Sequence, residues 1–147
     1  MTLRDRIQSD MKAAMKAGDK DRLRVVRMLL AAIRQVEVDE RRELGDAEVT
    51  TVLTKMVKQR RDSVQQFTDG AREDLAAAEQ AEIDVLETYL PEPLAEAELD
   101  ALIEKAIADT GATGMRDMGK VMAIVKRAAE GRADMGAVSA RVKARLG

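Results

Sequence analysis

The chain has 147 residues, of which 46% are hydrophobic and 35% charged, and its net charge is −2. This length fits one domain or two small ones, and the hydrophobic content is enough to build a core, which argues against disorder of the whole chain. Without cysteine or histidine, the chain cannot form disulfides, the usual transition-metal sites, or cysteine and histidine nucleophile systems. Aromatic residues make up only 1%, so aliphatic residues and nine Met must form the core, as in a helical bundle.

Four helices are predicted in the N-terminal part, at about residues 2–18, 19–45, 46–70 and 71–89. Thr2 followed by Asp5 resembles a capping box, and Asp19 and Asp46 are suited to cap the second and third helices. Apolar residues recur at helical spacing in each segment, and a glycine stands at the end of each of the first three. These features predict an N-terminal helical module.

Residues 88–94 contain both prolines of the chain and its only tyrosine. Proline lacks a backbone N–H and disfavours the α conformation in the residue before it, so Pro91 and Pro93 should end one helix and precede the next. We predict a structural hinge at Tyr89, Leu90, Pro91 and Pro93. This hinge divides the chain into an N-terminal helical module, residues 1–90, and a C-terminal tail domain, residues 91–147.

The tail domain is predicted to contain three helices. The first carries an amphipathic stripe from Leu99 to Ile107 and stops at Gly111. The second runs from about residue 115 to 130, and the third is capped by Asp134. Because no segment has a convincing strand pattern, the chain is predicted to be all-α, with about seven helices in total.

Charge is distributed unevenly along the chain. Residues 1–61 carry 15 Lys and Arg against 10 Asp and Glu, residues 62–104 carry 1 against 13, and residues 105–147 carry 9 against 4. One interpretation is a set of solvated helix faces, in which the acidic block complements the basic ones within the fold. The other is a tail that binds RNA through Arg116, Lys120, Lys126, Arg127, Arg132, Arg141, Lys143 and Arg145. Two aromatic residues provide no stacking platform for unpaired bases, so such RNA should be structured and held through its phosphates.

A P-loop-like run extends from Gly114 to Lys120. It matches the first seven positions of that phosphate-binding motif, but Val121 replaces the Mg²⁺-binding Ser or Thr and no strand is predicted before it. A packing role is favoured instead. Gly119 should let a neighbouring helix approach closely, and Met122 should face inward.

Carboxylates cluster on the fourth helix. Glu79 and Glu82 stand three residues apart, a spacing that could serve acid–base or Mg²⁺ chemistry. A solvated acidic face is the favoured interpretation. No catalytic residue, metal ligand or cofactor site is identified from the sequence.

Several runs of residues, taken in order and spacing, resemble the GatB/YqeY family. The runs are Lys58-Gln59-Arg60-Arg61-Asp62-Ser63 with Phe67, Gly70-Ala71-Arg72-Glu73-Asp74-Leu75, Glu79, Glu82-Ile83, Tyr89-Leu90-Pro91, Asp117-Met118-Gly119-Lys120-Val121-Met122 and Gly131-Arg132-Ala133-Asp134. The resemblance covers nearly the whole chain. One departure is Met135, where many members of the family have glycine.

The resemblance implies a small stand-alone protein. Its C-terminal part is similar to the tail domain of the B subunit of glutamine-dependent tRNA amidotransferase, a domain that contacts the body of the tRNA. The family resemblance also implies carbon–nitrogen ligase activity with glutamine as amide donor. The catalytic part of that B subunit has no counterpart in this chain, and the sequence supplies no residues for the chemistry.

Three functions therefore stay open. The favoured one is a non-catalytic helical module that binds tRNA or a tRNA-handling complex. The alternatives are a protein-interaction adaptor without an RNA role, which would use a hydrophobic groove at the hinge, and an accessory to carbon–nitrogen ligase activity. The sequence predicts no membrane span, secretory signal, metal or cofactor, and we expect a cytoplasmic protein.

Overall fold

The computed structural model describes all 147 residues and contains helices but no strand. The helices are α1 (Leu3–Ala17), α2 (Lys20–Glu40), α3 (Asp46–Asp69), α4 (Glu73–Glu87), α5 (Glu96–Thr110), α6 (Met118–Ala129) and α7 (Met135–Leu146), with one 3₁₀ turn at Met115–Asp117. The predicted all-α class with seven helices is confirmed. The chain forms two compact units, an N-terminal unit (Met1–Pro91) and a C-terminal unit (Glu92–Gly147).

The core of the N-terminal unit lies between α1, α2, α3 and α4. Helix α3 packs most extensively against α4, and α1 packs against α2. Each helix turns one apolar stripe inward, since its apolar residues recur every three or four positions. The largest fully buried side chains of this core are Ile7, Leu29, Ile33, Leu53, Ile83 and Leu86. Burial of such a side chain contributes about 1.5–3 kcal/mol, which makes the core the main stabilising element of the unit.

Polar side chains fix the starts of α1 and α3. The predicted capping box is present, because the Asp5 N–H donates to the Thr2 hydroxyl at 3.1 Å and the Thr2 N–H donates to the Asp5 carboxylate at 3.2 Å. These hydrogen bonds lower the pKa of Asp5. The sequence predicted Asp46 as the cap of α3, but Gly45 occupies that position and Asp46 is the first residue of the helix. The Asp46 carboxylate accepts a hydrogen bond from the Leu3 N–H at 3.0 Å and so connects the starts of the two helices.

Helix α2 ends about four residues before the predicted boundary. Arg41 adopts a left-handed conformation, with φ of 55°, and this stops the helix at Glu40. The chain then turns back so that the Leu44 side chain is buried in the core, and the Leu44 N–H donates to the Glu37 carboxylate at 2.9 Å. This hydrogen bond, together with the ion pair between Glu37 and Arg4, holds the pKa of Glu37 below its usual range.

Tyr89 fixes the chain where it leaves α4. Its side chain is only 4% exposed, and its hydroxyl donates to the Asp10 carboxylate at 2.6 Å. The Arg6 guanidinium lies over the ring, 5.0 Å from its centre, and also donates to the Thr88 carbonyl at 2.8 Å. Burial, followed by the hydrogen bond to Asp10, raises the pKa of Tyr89 to about 12.

Beyond Tyr89 the backbone is not helical again until Glu96. Leu90 packs against the core of the N-terminal unit, whereas Pro91 and Pro93 are exposed. The Leu94 N–H donates to the Arg132 carbonyl at 2.8 Å, so this part of the connection already belongs to the C-terminal unit. A hinge at these residues stays a prediction.

The C-terminal unit has its own smaller core, formed by α5, α6 and α7. Its buried residues are Leu99, Ile103, Ala106, Val121, Val125, Ala129, Val138 and Val142. Met122 is half-buried and packs against them. Helix α6 packs against both α5 and α7. Its exposed residues therefore lie on the face that is turned away from these two helices.

Candidate nucleic-acid interface

All eight cations predicted to bind RNA lie in the C-terminal unit, between residues 116 and 145. Arg116 is in the 3₁₀ turn, Arg132 follows α6, and the others are Lys120, Lys126 and Arg127 on α6 and Arg141, Lys143 and Arg145 on α7. Their surroundings separate them into two groups. One group is engaged by carboxylates of α5, and the other is not.

Three of the arginines are neutralised within the unit. The ion pairs are Arg141 with Glu96 at 3.2 Å and with Asp100 at 2.6 Å, Arg145 with Glu104 at 2.6 Å, and Arg132 with Glu98 at 3.9 Å. Arg132 also donates from Nε to the Glu92 carbonyl at 2.8 Å. Part of the acidic block of the sequence thus complements the basic tail inside the fold. An RNA phosphate that binds any of these arginines must compete with a carboxylate.

The other five cations are exposed and form no ion pair. They are Arg116, Lys120, Lys126, Arg127 and Lys143. Lys120 and Arg127 are seven residues apart on α6, which is nearly two helical turns, so they share the face opposite buried Val121 and Val125. Lys126 lies on the flank of the same helix. The candidate interface is therefore centred on α6 rather than spread over the whole tail.

The structure contradicts the predicted packing role of Gly119. A Cβ atom built on this residue meets no heavy atom within 4 Å, so no neighbouring helix approaches closely there. Gly119 is the second residue of α6 and faces away from the core, which explains the open space. Lys120 beside it is exposed, and the P-loop-like run is preceded by a loop and not by a strand.

The carboxylates of α4 do not form a purely solvated face. Glu82 is only 8% exposed and lies 3.6 Å from Arg24 and 3.8 Å from Arg60. A buried carboxylate needs such compensation, so the interpretation of a solvated face is wrong for Glu82. Glu79 is half-buried. No group of three or more acidic side chains in the chain is arranged to hold a metal ion, and no helix combines the length and apolar character needed to cross a membrane.

Comparison with known protein families decides the relationship suggested by the sequence. The Yqey-like protein family matches residues 4–146. The chain belongs to the YqeY-like family. The match covers both units, so the whole chain and not only its tail has the character of the family.

Curated relatives of this YqeY-like chain are about a third identical to it over the aligned residues. They include proteins named "Altered inheritance of mitochondria protein 41, mitochondrial" from Pyrenophora tritici-repentis, 32% identical over 82% of this chain and 67% of the relative, and from Kluyveromyces lactis, 35% identical over 70% and 57%. The protein of that name from Lachancea thermotolerans is 33% identical over 70% of this chain and 57% of its own length. The chain thus spans between about half and two thirds of the relatives it matches.

These names correct the predicted cytoplasmic location. The relatives are named as mitochondrial proteins, which points to mitochondria rather than to the cytoplasm. The prediction was wrong because it rested on the lack of a secretory signal and of a membrane span. Those two features distinguish secreted and membrane proteins from the rest, but they do not distinguish the cytoplasm from the interior of an organelle.

A second row of cations on this YqeY-like chain is absent from the sequence-based predictions. Lys20, Arg27 and Arg34 lie on the outer face of α2, and Arg41 ends the helix. All four are exposed and none forms an ion pair. The signal is present in the sequence, because Lys20, Arg27 and Arg34 are spaced by seven and positions seven apart share one face of a helix, while Arg41 follows at the same interval just beyond the last helical residue.

Proposed function

We propose that this YqeY-like protein is a non-catalytic helical module that binds tRNA, or a complex that handles tRNA, through the exposed cations of its C-terminal unit. The observation that carries the proposal is the group of five cations around α6 that have no carboxylate partner. Unpaired surface cations contribute little to folding and are available to a phosphate backbone. The similarity of the tail to a tRNA-contacting domain supports tRNA as the partner.

The composition of the unit supports recognition through phosphates and shape. Phe67 and Tyr89 are the only aromatic residues, both belong to the N-terminal unit, and Tyr89 is buried. The C-terminal unit therefore has no ring on which an unpaired base could stack. Contact with about five phosphates should give a slope of log K against log salt of about −4.5, with little dependence on RNA sequence.

Reversal of two charges on α6 tests the proposal. Lys126→Glu with Arg127→Glu should weaken binding of intact tRNA and reduce the salt slope by about two, because two phosphate contacts are lost. Both residues are exposed and outside the core, so the fold should be retained. Gel-shift titrations at several salt concentrations measure the effect, and circular dichroism checks the helix content.

Two controls make the experiment decisive. Lys55→Glu with Lys58→Glu on α3 produces the same change in net charge at exposed positions of the other unit. Ile124→Ser removes the 43% exposed apolar side chain of α6 without changing charge. Both should leave the salt slope unchanged. No binding of tRNA at low salt, or an equal loss in both controls, would contradict the proposal and favour the protein-adaptor function.

An accessory role in carbon–nitrogen ligase chemistry predicts a different result. Purified protein alone should not release ammonia from glutamine, because the proposal assigns no catalytic residue to this chain. A coupled assay for ammonia, run with and without tRNA, checks this expectation. Release of ammonia that follows the protein through purification would replace the binding module with an enzyme.

A further inference from the structure

The outer face of α2 carries a one-sided row of cations. Lys20, Arg27 and Arg34 follow one another at intervals of seven residues, and Arg41 continues the series at the end of the helix. Seven residues advance a helix by about 10.5 Å and rotate it by only about 20° short of two full turns. The cations therefore form a nearly straight row along the helix.

No carboxylate of α2 forms an ion pair with this row, although the hydrogen bond from Leu44 and, to a smaller extent, the charge of Arg34 lower the pKa of Glu37. Glu37 is engaged by Arg4 and by the Leu44 N–H, and Glu40 pairs with Arg42 at 2.9 Å. Asp39 accepts a hydrogen bond from the Gln35 side chain at 3.0 Å.

The other α2 residues nearest the row leave it open. Arg24, on the same face, pairs with Glu82 at 3.6 Å but keeps 57% of its side chain exposed. Between the cations the face carries the exposed side chains of Ala31 and Val38, and half-buried Leu23 and Met28 line an open groove with Lys20, Arg24 and Arg27. The inward residues of α2 supply its packing, so the core does not require the row of charge.

An open groove of 730 Å³ runs beside the row, between α1 and α2. Its charged lining includes Lys12 of α1, Arg34 and Arg41, with Glu37 and Glu43 among the cations, above apolar Met11 and Leu30. Lys12 is exposed and forms no ion pair. Cations thus line the groove from both helices, which broadens the row into a surface.

We propose that this α2 surface, defined by Lys20, Arg27, Arg34 and Arg41 with Lys12 beside them, binds the phosphate backbone of double-helical RNA. The inference relies on the proposed function for the class of partner, but it does not involve any residue of the C-terminal unit. It gives the N-terminal unit, which has no part in the proposed function, a binding role of its own.

The side chains of the surface favour a duplex backbone over other polyanions. Three of the four cations in the row are arginines, whose planar guanidinium groups bind phosphate oxygens in pairs. No exposed aromatic residue lies on the face, so single-stranded bases have nothing to stack on. The same absence removes the aromatic anchors that protein interfaces and membrane insertion use, and Val38, 62% exposed, is the large exposed apolar side chain of the face.

Charge reversal on the row, in the full chain, tests the inference. Arg27→Glu with Arg34→Glu should weaken binding of an RNA hairpin with a long duplex stem by at least about tenfold at low salt and reduce the salt slope by about two. Lys55→Glu with Lys58→Glu on α3 is the matched control, with the same change in charge at exposed positions, and should leave the slope unchanged. A single strand of the same composition should bind all variants weakly.

The pattern across variants separates this inference from the proposed function. Loss of hairpin binding in the α2 variant but not in Lys126→Glu with Arg127→Glu supports the α2 surface and contradicts the site on α6. The opposite pattern overturns the inference and leaves the proposed function intact. If the unaltered protein binds neither hairpin nor tRNA at low salt, both are wrong. If the α2 variant loses helix content, Arg27→Gln with Arg34→Gln removes the same two phosphate contacts, so it should weaken hairpin binding less but still reduce the slope by about two, and an unchanged slope there overturns the inference.

Discussion

The surface arginines of α7 and of α2 differ in their charged neighbours. Helix α7 carries Arg141 and Arg145, and α2 carries Arg27 and Arg34. The two on α7 pair with carboxylates of α5 at 2.6 to 3.2 Å, so the charge that the tail shows in sequence is partly cancelled in space. The two on α2 form no ion pair, although the unit that contains them has more acidic than basic residues. Whether a surface cation is available to a partner therefore depends on the side chains of the neighbouring helix. The net charge of a unit does not predict this availability.

The largest change in the free energy of unfolding is expected from a substitution in the core of the C-terminal unit, which holds α5 and α7 together. Ile103 is fully buried in the smaller core, and Ile103→Ala should cost about 3 kcal/mol of stability through lost burial and a cavity. Helices α5 to α7 should then lose hydrogen-exchange protection while α1 to α4 keep theirs.

The matched variant in the other core is Leu53→Ala, also fully buried, which should unprotect α1 to α4 first. These two variants together test the predicted division into domains at residues 1–90 and 91–147. Loss of protection in both units at once, in either variant, would show that the chain unfolds as a single domain.

A smaller effect is expected at high pH from Tyr89, whose hydroxyl donates a hydrogen bond to the Asp10 carboxylate. The folded state binds the phenolic proton more tightly than the unfolded chain, because the pKa rises from 10.0 to about 12. Stability is therefore complete below pH 10 and should fall by about 2 kcal/mol as the pH rises through 12. Urea unfolding at several pH values measures this loss.

Tyr89→Phe is the control for the alkaline loss. It removes the titrating group together with the hydrogen bond to Asp10, so it should cost about 1 kcal/mol at neutral pH and abolish the dependence above pH 10. Because Tyr89 is the only tyrosine, its ultraviolet absorbance reports the titration directly. Ionisation of the folded protein at the ordinary tyrosine pKa would contradict the buried hydrogen bond.

The ion pairs of α7 should contribute less to stability than the buried core residues or Tyr89. A double-mutant cycle with Arg141→Ala and Asp100→Ala should give a coupling of up to about 1 kcal/mol, since the arginine is about a third exposed and part of a small network. Arg34→Ala on α2 removes no ion pair and should change stability by less than about 0.5 kcal/mol. A cost at Arg34 equal to that at Arg141 would mean that the α2 row is held by contacts within the fold and is not available to a partner.

The fold was predictable from the sequence because its signals are local. Apolar spacing and the glycines after α1 and α5 identify helices without knowledge of their neighbours. The end of α2 was not predictable in this way, because Arg41 takes a positive φ only where burial of Leu44 and its hydrogen bond to Glu37 turn the chain back. That cause is tertiary and has no local pattern.

The two candidate surfaces also differ in whether local sequence patterns could reveal them. The pairing of Arg145 with Glu104 joins residues 41 positions apart, so no helical spacing could reveal which tail cations are neutralised. The row of Lys20, Arg27 and Arg34 is the reverse case, since its spacing of seven places the three residues on one face of any helix that contains them. Whether such a row is exposed depends in turn on the opposite, apolar face of the same helix, which the sequence also shows.

The smallest expected effect concerns Gly119, next to Lys120 on the unpaired face of α6. Its backbone has no positive φ and a Cβ atom there meets nothing within 4 Å, so Gly119→Ala should stabilise the C-terminal unit by about 0.5 kcal/mol by restricting the unfolded chain. Gly111 is the matched control, because its surroundings are equally open but its φ is +66°. Gly111→Ala should therefore destabilise the unit by about 1 kcal/mol through backbone strain alone. Thermal unfolding of the two variants measures both signs, and a loss of stability in Gly119→Ala would mean that another helix does pack against this position.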